Sequence, residues 1–156
     1  MPSVEQRADL AAMLAPLARA LVAAELPALE RAGLSMWAYI VLSRLNGGPA
    51  ATQAGLAAEI GADKTRLIPV LDDLQARGLI ERFPDPTDRR RRTLRATGAG
   101  VELQARAQAL IRRHESEVLA HLDAGDRAAF LRALATLSAL PRETLLSSPG
   151  PGRAAR

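Results

Sequence analysis

The sequence predicts a mainly α fold with a small β wing (α+β): a winged helix-turn-helix set between N- and C-terminal dimerisation helices. Three observations predict it. Apolar residues recur at helical spacing through both ends of the 156-residue chain. Two short helical segments between Thr52 and Arg77 are separated by the short Gly61–Asp63 break, as in a helix-turn-helix. An arginine-rich turn between two short strand-like runs follows at once, over residues 79–96.

At the N-terminus, Ser3 and Gln6 read as a capping box, and Leu10, Met13, Leu14, Leu17, Leu21 and Val22 carry one helix to about Leu26. Pro16 is expected to kink it and Pro27 to end it. Ser35 caps a second helix through about Leu45, closed by Asn46-Gly47-Gly48, with Trp37, Ile40, Val41 and Leu45 on its apolar face. Thr52 caps a third, Gln53 to Ile60, ended by Gly61; Asp63 caps a fourth, about Lys64 to Arg77, stopped by Gly78. Leu79 to Phe83 and Arg92 to Ala96 are strands around an Asp85-Pro86-Thr87-Asp88 turn. From Val101 the helical period resumes to Leu122, Ala124-Gly125 breaks it, and Asp126 caps a last helix carrying Phe130, Leu131, Leu134 and Leu137.

The implied organisation is one domain over residues 1–146, with dimerisation helices at 1–30 and 101–140, a DNA-binding lobe at 49–98 and a disordered tail at 147–156. The terminal helices carry more apolar surface than a small winged lobe absorbs, which argues for a homodimer.

Composition narrows the function. Hydrophobic residues at 48% and charged residues at 24% describe a globular chain. Aromatics make up 3%, too few for a base-stacking platform. Cysteine is absent and histidine numbers 2, so thiol chemistry and a His-rich metal site are disfavoured. His114 and His121 lie seven apart on one helix face, whereas a metal pair would want three or four. No metal, no cofactor and no enzymatic reaction are expected. No run approaches 18 uncharged apolar residues and no leader pattern opens the chain, so a cytoplasmic protein without membrane contact is expected.

Charge is local. Residues 77–95 hold seven arginines against three acids and net +4, the whole of the chain's excess. A basic loop on an otherwise neutral protein, placed directly after a helix-turn-helix, is the footprint expected of phosphate contact with double-stranded DNA. Lys64, Thr65, Arg66 and Ile68 would face out at the start of the recognition helix, where Arg suits guanine, Thr a phosphate or base, and an apolar side chain the thymine methyl. Thr52, Gln53, Arg82, Arg89, Arg91 and Arg92 complete the expected contact set, mainly to phosphates. Pro69 removes the bond to the Thr65 carbonyl and should kink that helix.

At this point the chain resembles the MarR family of bacterial transcription regulators over about residues 5 to 140. The resemblance rests on GLSMWAYIVLSRL, on TQAGLAAEIGADKTRLIPVLDDLQARGLIER and on the wing DPTDRRRRTLRATGAG, with Asp88, Arg90, Leu94, Thr97 and Gly100 at the patterned positions. It implies a winged-helix homodimer on palindromic DNA, usually a repressor, often released by a small aromatic ligand. Arg90 resembles the wing arginine that enters the minor groove, and Asp88 the acid that orients it through a charge-assisted bond. Ala96 and Gly98 depart from the family's preference, so a looser second wing strand is expected. For an effector, Met13, Leu17, Met36, Trp37 and Tyr39 could line a site, with Arg44 or His114 as its polar end. The rival readings are a winged-helix module for protein or RNA contact, without palindromic DNA recognition, and a ligand-binding or catalytic helical scaffold.

Overall fold

The computed structural model describes residues 8–48 and 51–147. Ten elements follow in order: α1 (Leu10–Arg31), α2 (Met36–Asn46), β1 (Ala51–Thr52), α3 (Gln53–Ile60), α4 (Lys64–Ala76), β2 (Ile80–Pro84), β3 (Arg92–Ala96), α5 (Gly98–Leu119), α6 (Ala124–Ser138) and α7 (Arg142–Leu146). The expected Ser3–Gln6 capping box and all but the first residue of the 147–156 tail lie outside the described residues.

Pro27 does not end α1. The helix runs on to Arg31 because its last turn is anchored: Ala28 and Leu29 are buried, and the chain closes with Gly33 N–H donating to Glu30 O and Leu34 N–H to Leu29 O, both 2.9 Å. Gly33 takes φ +66, the left-handed geometry this double closure needs. The missing Pro27 amide costs one intrahelical bond, which core packing outweighs. The same closure ends α4, where Gly78 N–H donates to Gln75 O and Leu79 N–H to Leu74 O. Ser35, Thr52 and Asp63 cap α2, α3 and α4 as expected, accepting from the amides of Ala38, Gly55 and Thr65.

Two structural units separate near residue 115, covering 1–115 and 116–156. The core belongs to the first. Leu29, Val41, Leu42, Leu56, Leu67, Leu71, Leu74, Ile80 and Leu94 are its fully buried large side chains, drawn from α1 to α4 and the sheet. The sheet has three antiparallel strands in the order β1-β3-β2. The two-residue strand β1, pairing Ala51 with Leu94 and Thr52 with Thr93, was not legible in the sequence. The second wing strand is not loose: β2 and β3 pair in unbroken register from Ile80–Ala96 to Pro84–Arg92. Ala96 keeps its place because the ladder is a backbone interaction that a small side chain does not weaken.

α5 starts at Gly98, three residues ahead of expectation, because the Thr97 hydroxyl accepts from the Gly100 amide at 3.1 Å and caps the helix there. It also carries a buried polar contact: Gln104, 4% exposed, accepts from Asn46 Nδ2 at 3.0 Å and donates to Ser43 Oγ at 3.2 Å, tying α5 to α2.

In the second unit the cap of α6 is Asp123, not Asp126: its carboxylate accepts from the Asp126 amide at 2.8 Å, which brings Ala124 and Gly125 into the first turn. Arg127 donates to the Leu119 and Leu122 carbonyls and closes the turn below it. The short α7 was not anticipated. α6 buries none of its residues, and Phe130, Leu131, Leu134 and Leu137 stand exposed. In the first unit α1 likewise exposes Leu10, Met13, Leu14 and Leu17. By length and composition alone α1 is apolar enough to cross a membrane, although Arg19 and Glu25 interrupt it.

Candidate nucleic-acid interface

The recognition helix α4 has two sides set by its period. Leu67, Leu71 and Leu74 are buried, while Lys64, Thr65, Arg66 and Ile68 are exposed on its first turns. The helix is continuous through the exposed Pro69. Of its leading amides, that of Thr65 donates to the Asp63 carboxylate at 2.7 Å.

The wing tip is built by two aspartates. Asp85 Oδ1 accepts from the Thr87 amide at 2.7 Å, the Thr87 hydroxyl at 2.6 Å and the Asp88 amide at 3.3 Å. These bonds, the Thr87 hydroxyl first, hold the Asp85 carboxyl below the usual carboxylate range. The Asp85 amide donates to Arg91 O at 3.0 Å, closing the loop. Asp88 does not grip the Arg90 guanidinium. Its Oδ1 accepts from the Arg90 backbone amide at 3.0 Å, and its Oδ2 pairs with Arg91 Nε at 3.4 Å. The carboxylate is two residues from Arg90, a spacing that suits a turn bond to the main chain better than a reach to the far end of a long side chain. Arg89, Arg90 and Arg92 carry no ion pair among the described residues and stand in solvent.

Lower on the sheet the charges are paired. Arg95 donates to Glu81 Oε1 at 2.5 and 2.8 Å and lies 5.1 Å over the Phe83 ring. Arg82, expected among the DNA contacts, is turned inward instead: Nη2 meets Asp72 Oδ1 at 2.8 Å and Nη1 donates to Gln75 Oε1 at 2.8 Å, both on α4. Thr52 and Gln53, at the start of α3, border an open cleft of about 440 Å³ together with Ala54, Arg91 and Arg92. Two elements far apart in sequence thus bring a helix N-terminus and two arginines to one place.

The residues expected to line an effector site lie on α1, α2 and α5. Met13 and Leu17 lie on the exposed face of α1, and Met36, Trp37 and Tyr39 are half-buried on α2. Arg44 is taken by Glu59 of α3, whose carboxyl it holds below its ordinary range. His114 borders a cavity, about 120 Å³ between α1 and α5, with Leu21, Glu25, Arg31, Leu110 and Glu115. Burial, and then the neighbouring Glu115, push the Glu25 carboxyl up. No group of three or more potential metal-binding side chains is found among the described residues.

Sequence reasoning missed Asp85, Asp72, Gln75 and Glu81. Asp85-Pro86-Thr87-Asp88 carried a readable signal for the first, since an Asp two residues before a free amide favours this turn. Arg82 also had one: it lies two residues after the buried Ile80, on the same face of β2.

Residues 32–91 match the profile described as the MarR family. A putative transcriptional regulatory protein for the hcr operon of Thauera aromatica is 30% identical over 112 residues, covering 72% of this chain and 68% of that one. The chain belongs to the MarR family. This MarR-family transcriptional regulator also superposes on two solved structures at 29% identity. The transcriptional repressor CouR, bound to a 23-mer DNA duplex, has a TM-score of 0.72 and covers 88% of this chain and 98% of its own. The PcaV transcriptional regulator of Streptomyces coelicolor, in complex with its natural ligand, has a TM-score of 0.62 and covers 85% and 96%.

Proposed function

We propose that this MarR-family regulator is a homodimeric repressor that binds an inverted-repeat operator in double-stranded DNA and lets go when a small aromatic or phenolic ligand binds. The observation that carries the reading is the pairing of two unneutralised basic surfaces on one small lobe: Lys64 and Arg66 at the start of α4, and Arg89, Arg90 and Arg92 at the wing tip. The other described arginines of the lobe are drawn into ion pairs, so the charge that remains is where a duplex would be read.

In this reading Arg66 and Lys64 meet base edges in the major groove, with Thr65 and Ile68 beside them. Arg90 enters the minor groove, set in place by the Asp88 bond to its own backbone amide. A phosphate fits the cleft where Thr52 and Gln53 at the start of α3 meet Arg91 and Arg92. CouR, solved on a duplex, supports the mode of binding.

The exposed apolar stripes of α1 and α6 support a second copy of the chain as the partner that covers them. PcaV, solved with its natural ligand, supports an effector. The α1–α5 cavity approaches the ~150 Å³ that holds a benzene-sized molecule, with His114 and Arg31 for a polar end. A ligand there would act through different affinities for the dimer that fits DNA and the dimer that does not. In this reading the protein binds and releases without catalysing a reaction, and works beside its DNA in the cytoplasm.

The test is selection of bound duplexes from a random library. Enrichment of an inverted repeat with half-sites about 34 Å apart, one helical turn, is the expected result. Binding without any inverted repeat would favour the rival reading, a winged-helix module for protein or RNA contact.

A further inference from the structure

The geometry points to Arg82 as a positioning residue that locks the recognition helix to the wing, so that the two meet DNA as one rigid body. The inference rests on the DNA-binding reading above. β2 alternates, and Arg82 shares a face with Ile80, which is 2% exposed. Its side chain is accordingly 23% exposed, against 62% for Arg95 one strand away.

The guanidinium then forks. Nη2 pairs with Asp72 and Nη1 with Gln75, each at 2.8 Å, while the buried Nε has no partner. Asp72 and Gln75 are three apart and so lie on one face of α4, the two prongs of a single grip. The grip falls beyond Pro69, which cannot donate to the Thr65 carbonyl, so the half of α4 after the missing bond is held from outside the helix.

The fork also sets the charge of the helix. Arg82 neutralises Asp72 and Arg77 neutralises Asp73 at 3.3 Å, so neither carboxylate faces a phosphate unpaired. Moving Arg82 onto DNA would take it from Asp72 and Gln75 at once. A residue that merely adds charge would have no use for this geometry.

The experiment measures affinity for the selected operator and for random duplex over a salt series, using wild type, Arg82→Gln, Asp72→Asn and the double variant, with a thermal melt of each. Asp72→Asn makes the helix more positive, so charge alone predicts tighter DNA binding. The clamp predicts the opposite: Arg82→Gln and Asp72→Asn each weaken operator binding about 10-fold, and the double variant is no weaker than the worse single one. Random-duplex affinity and the salt slope stay near wild type. If Arg82→Gln melts below the assay temperature, Asp72→Asn, which keeps every arginine, decides by itself. Equal loss on operator and random duplex with a salt slope shallower by about one, together with tighter binding by Asp72→Asn, makes Arg82 a phosphate contact and overturns the clamp. A wild-type chain that enriches no duplex overturns the regulatory reading itself, and additive losses in a chain that does bind overturn the clamp alone.

Discussion

A Cβ on Gly100 would lie 2.0 Å from the Leu79 carbonyl oxygen, so the first turn of α5 sits directly on the residue that leads into β2. The same carbonyl accepts from the Thr97 amide at 3.0 Å, and the Thr97 hydroxyl donates to Gly78 O at 2.7 Å. Residues 78–79 and 97–100 form one knot, which fixes where α5 leaves the winged lobe.

Gly100→Ala is therefore expected to destabilise the fold by about 1–3 kcal/mol, the usual cost of overpacking. Helix propensity works the other way and favours alanine by about 1 kcal/mol, but the nearest obstacle is the Leu79 backbone, which cannot swing aside as a side chain could. Urea unfolding reads the difference, and a midpoint equal to or above wild type would contradict the account.

Arg66 and Arg91 separate sequence reading from phosphate contact. Arg66→Ala is expected to cost about 1–3 kcal/mol on the operator and to relax base preference at one position per half-site. Arg91→Ala should weaken operator and random duplex alike and make the salt slope shallower. Titrations of both duplexes at several salt concentrations check the pair; matching losses for Arg66→Ala on the two duplexes would move it to the phosphate class.

Asp85 governs wing order. Its folded-state carboxyl titrates below the ordinary value, chiefly through the Thr87 hydroxyl, so its contribution is present above that ordinary value and fades as pH falls through the lowered one. Asp85→Ala should lower the protection factors of the Thr87 and Asp88 amides near neutral pH, and acid should lower the same protection factors in wild type once intrinsic rates are divided out. Arginines that must then be ordered on binding would reduce affinity about 2–10-fold for every sequence. Wild-type exchange rates in the variant would remove Asp85 from this role.

Glu25 carries the opposite sign. Burial beside the cavity raises its folded-state pKa, so the folded chain is favoured while the carboxyl is protonated and loses that advantage as pH rises through the raised value. Glu25→Gln should stabilise the protein at pH 7, by less than about 1 kcal/mol after solvent screening. The gain should vanish below the ordinary carboxylate range, where both states are protonated. Melting curves at acid and neutral pH check it, and a loss of stability at pH 7 would show that the charge is held by a partner.

The helix-turn-helix and the place of the wing are legible in the sequence, because their signals are bonds between near neighbours. Ser35, Thr52 and Asp63 cap helices by reaching two or three residues along the chain, and Gly78 ends α4 by a closure within five. The exposed side of α4 follows from its period, so Lys64, Thr65, Arg66 and Ile68 were legible as a surface. Pro27 misled, since a local rule for breaking helices met the burial of Ala28 and Leu29, which only packing supplies. Tertiary structure alone decided the rest. Strand β1 exists because Ala51 finds Leu94, 43 positions on. Arg82 belongs to α4 and not to the solvent because Asp72 and Gln75 are brought to it when β2 docks. Arg44 goes to Glu59 in the same way. Seven arginines in a short segment look alike in a sequence, and what separates the clamps from the free cations is which carboxylates the fold places within about 4 Å, close enough to form an ion pair.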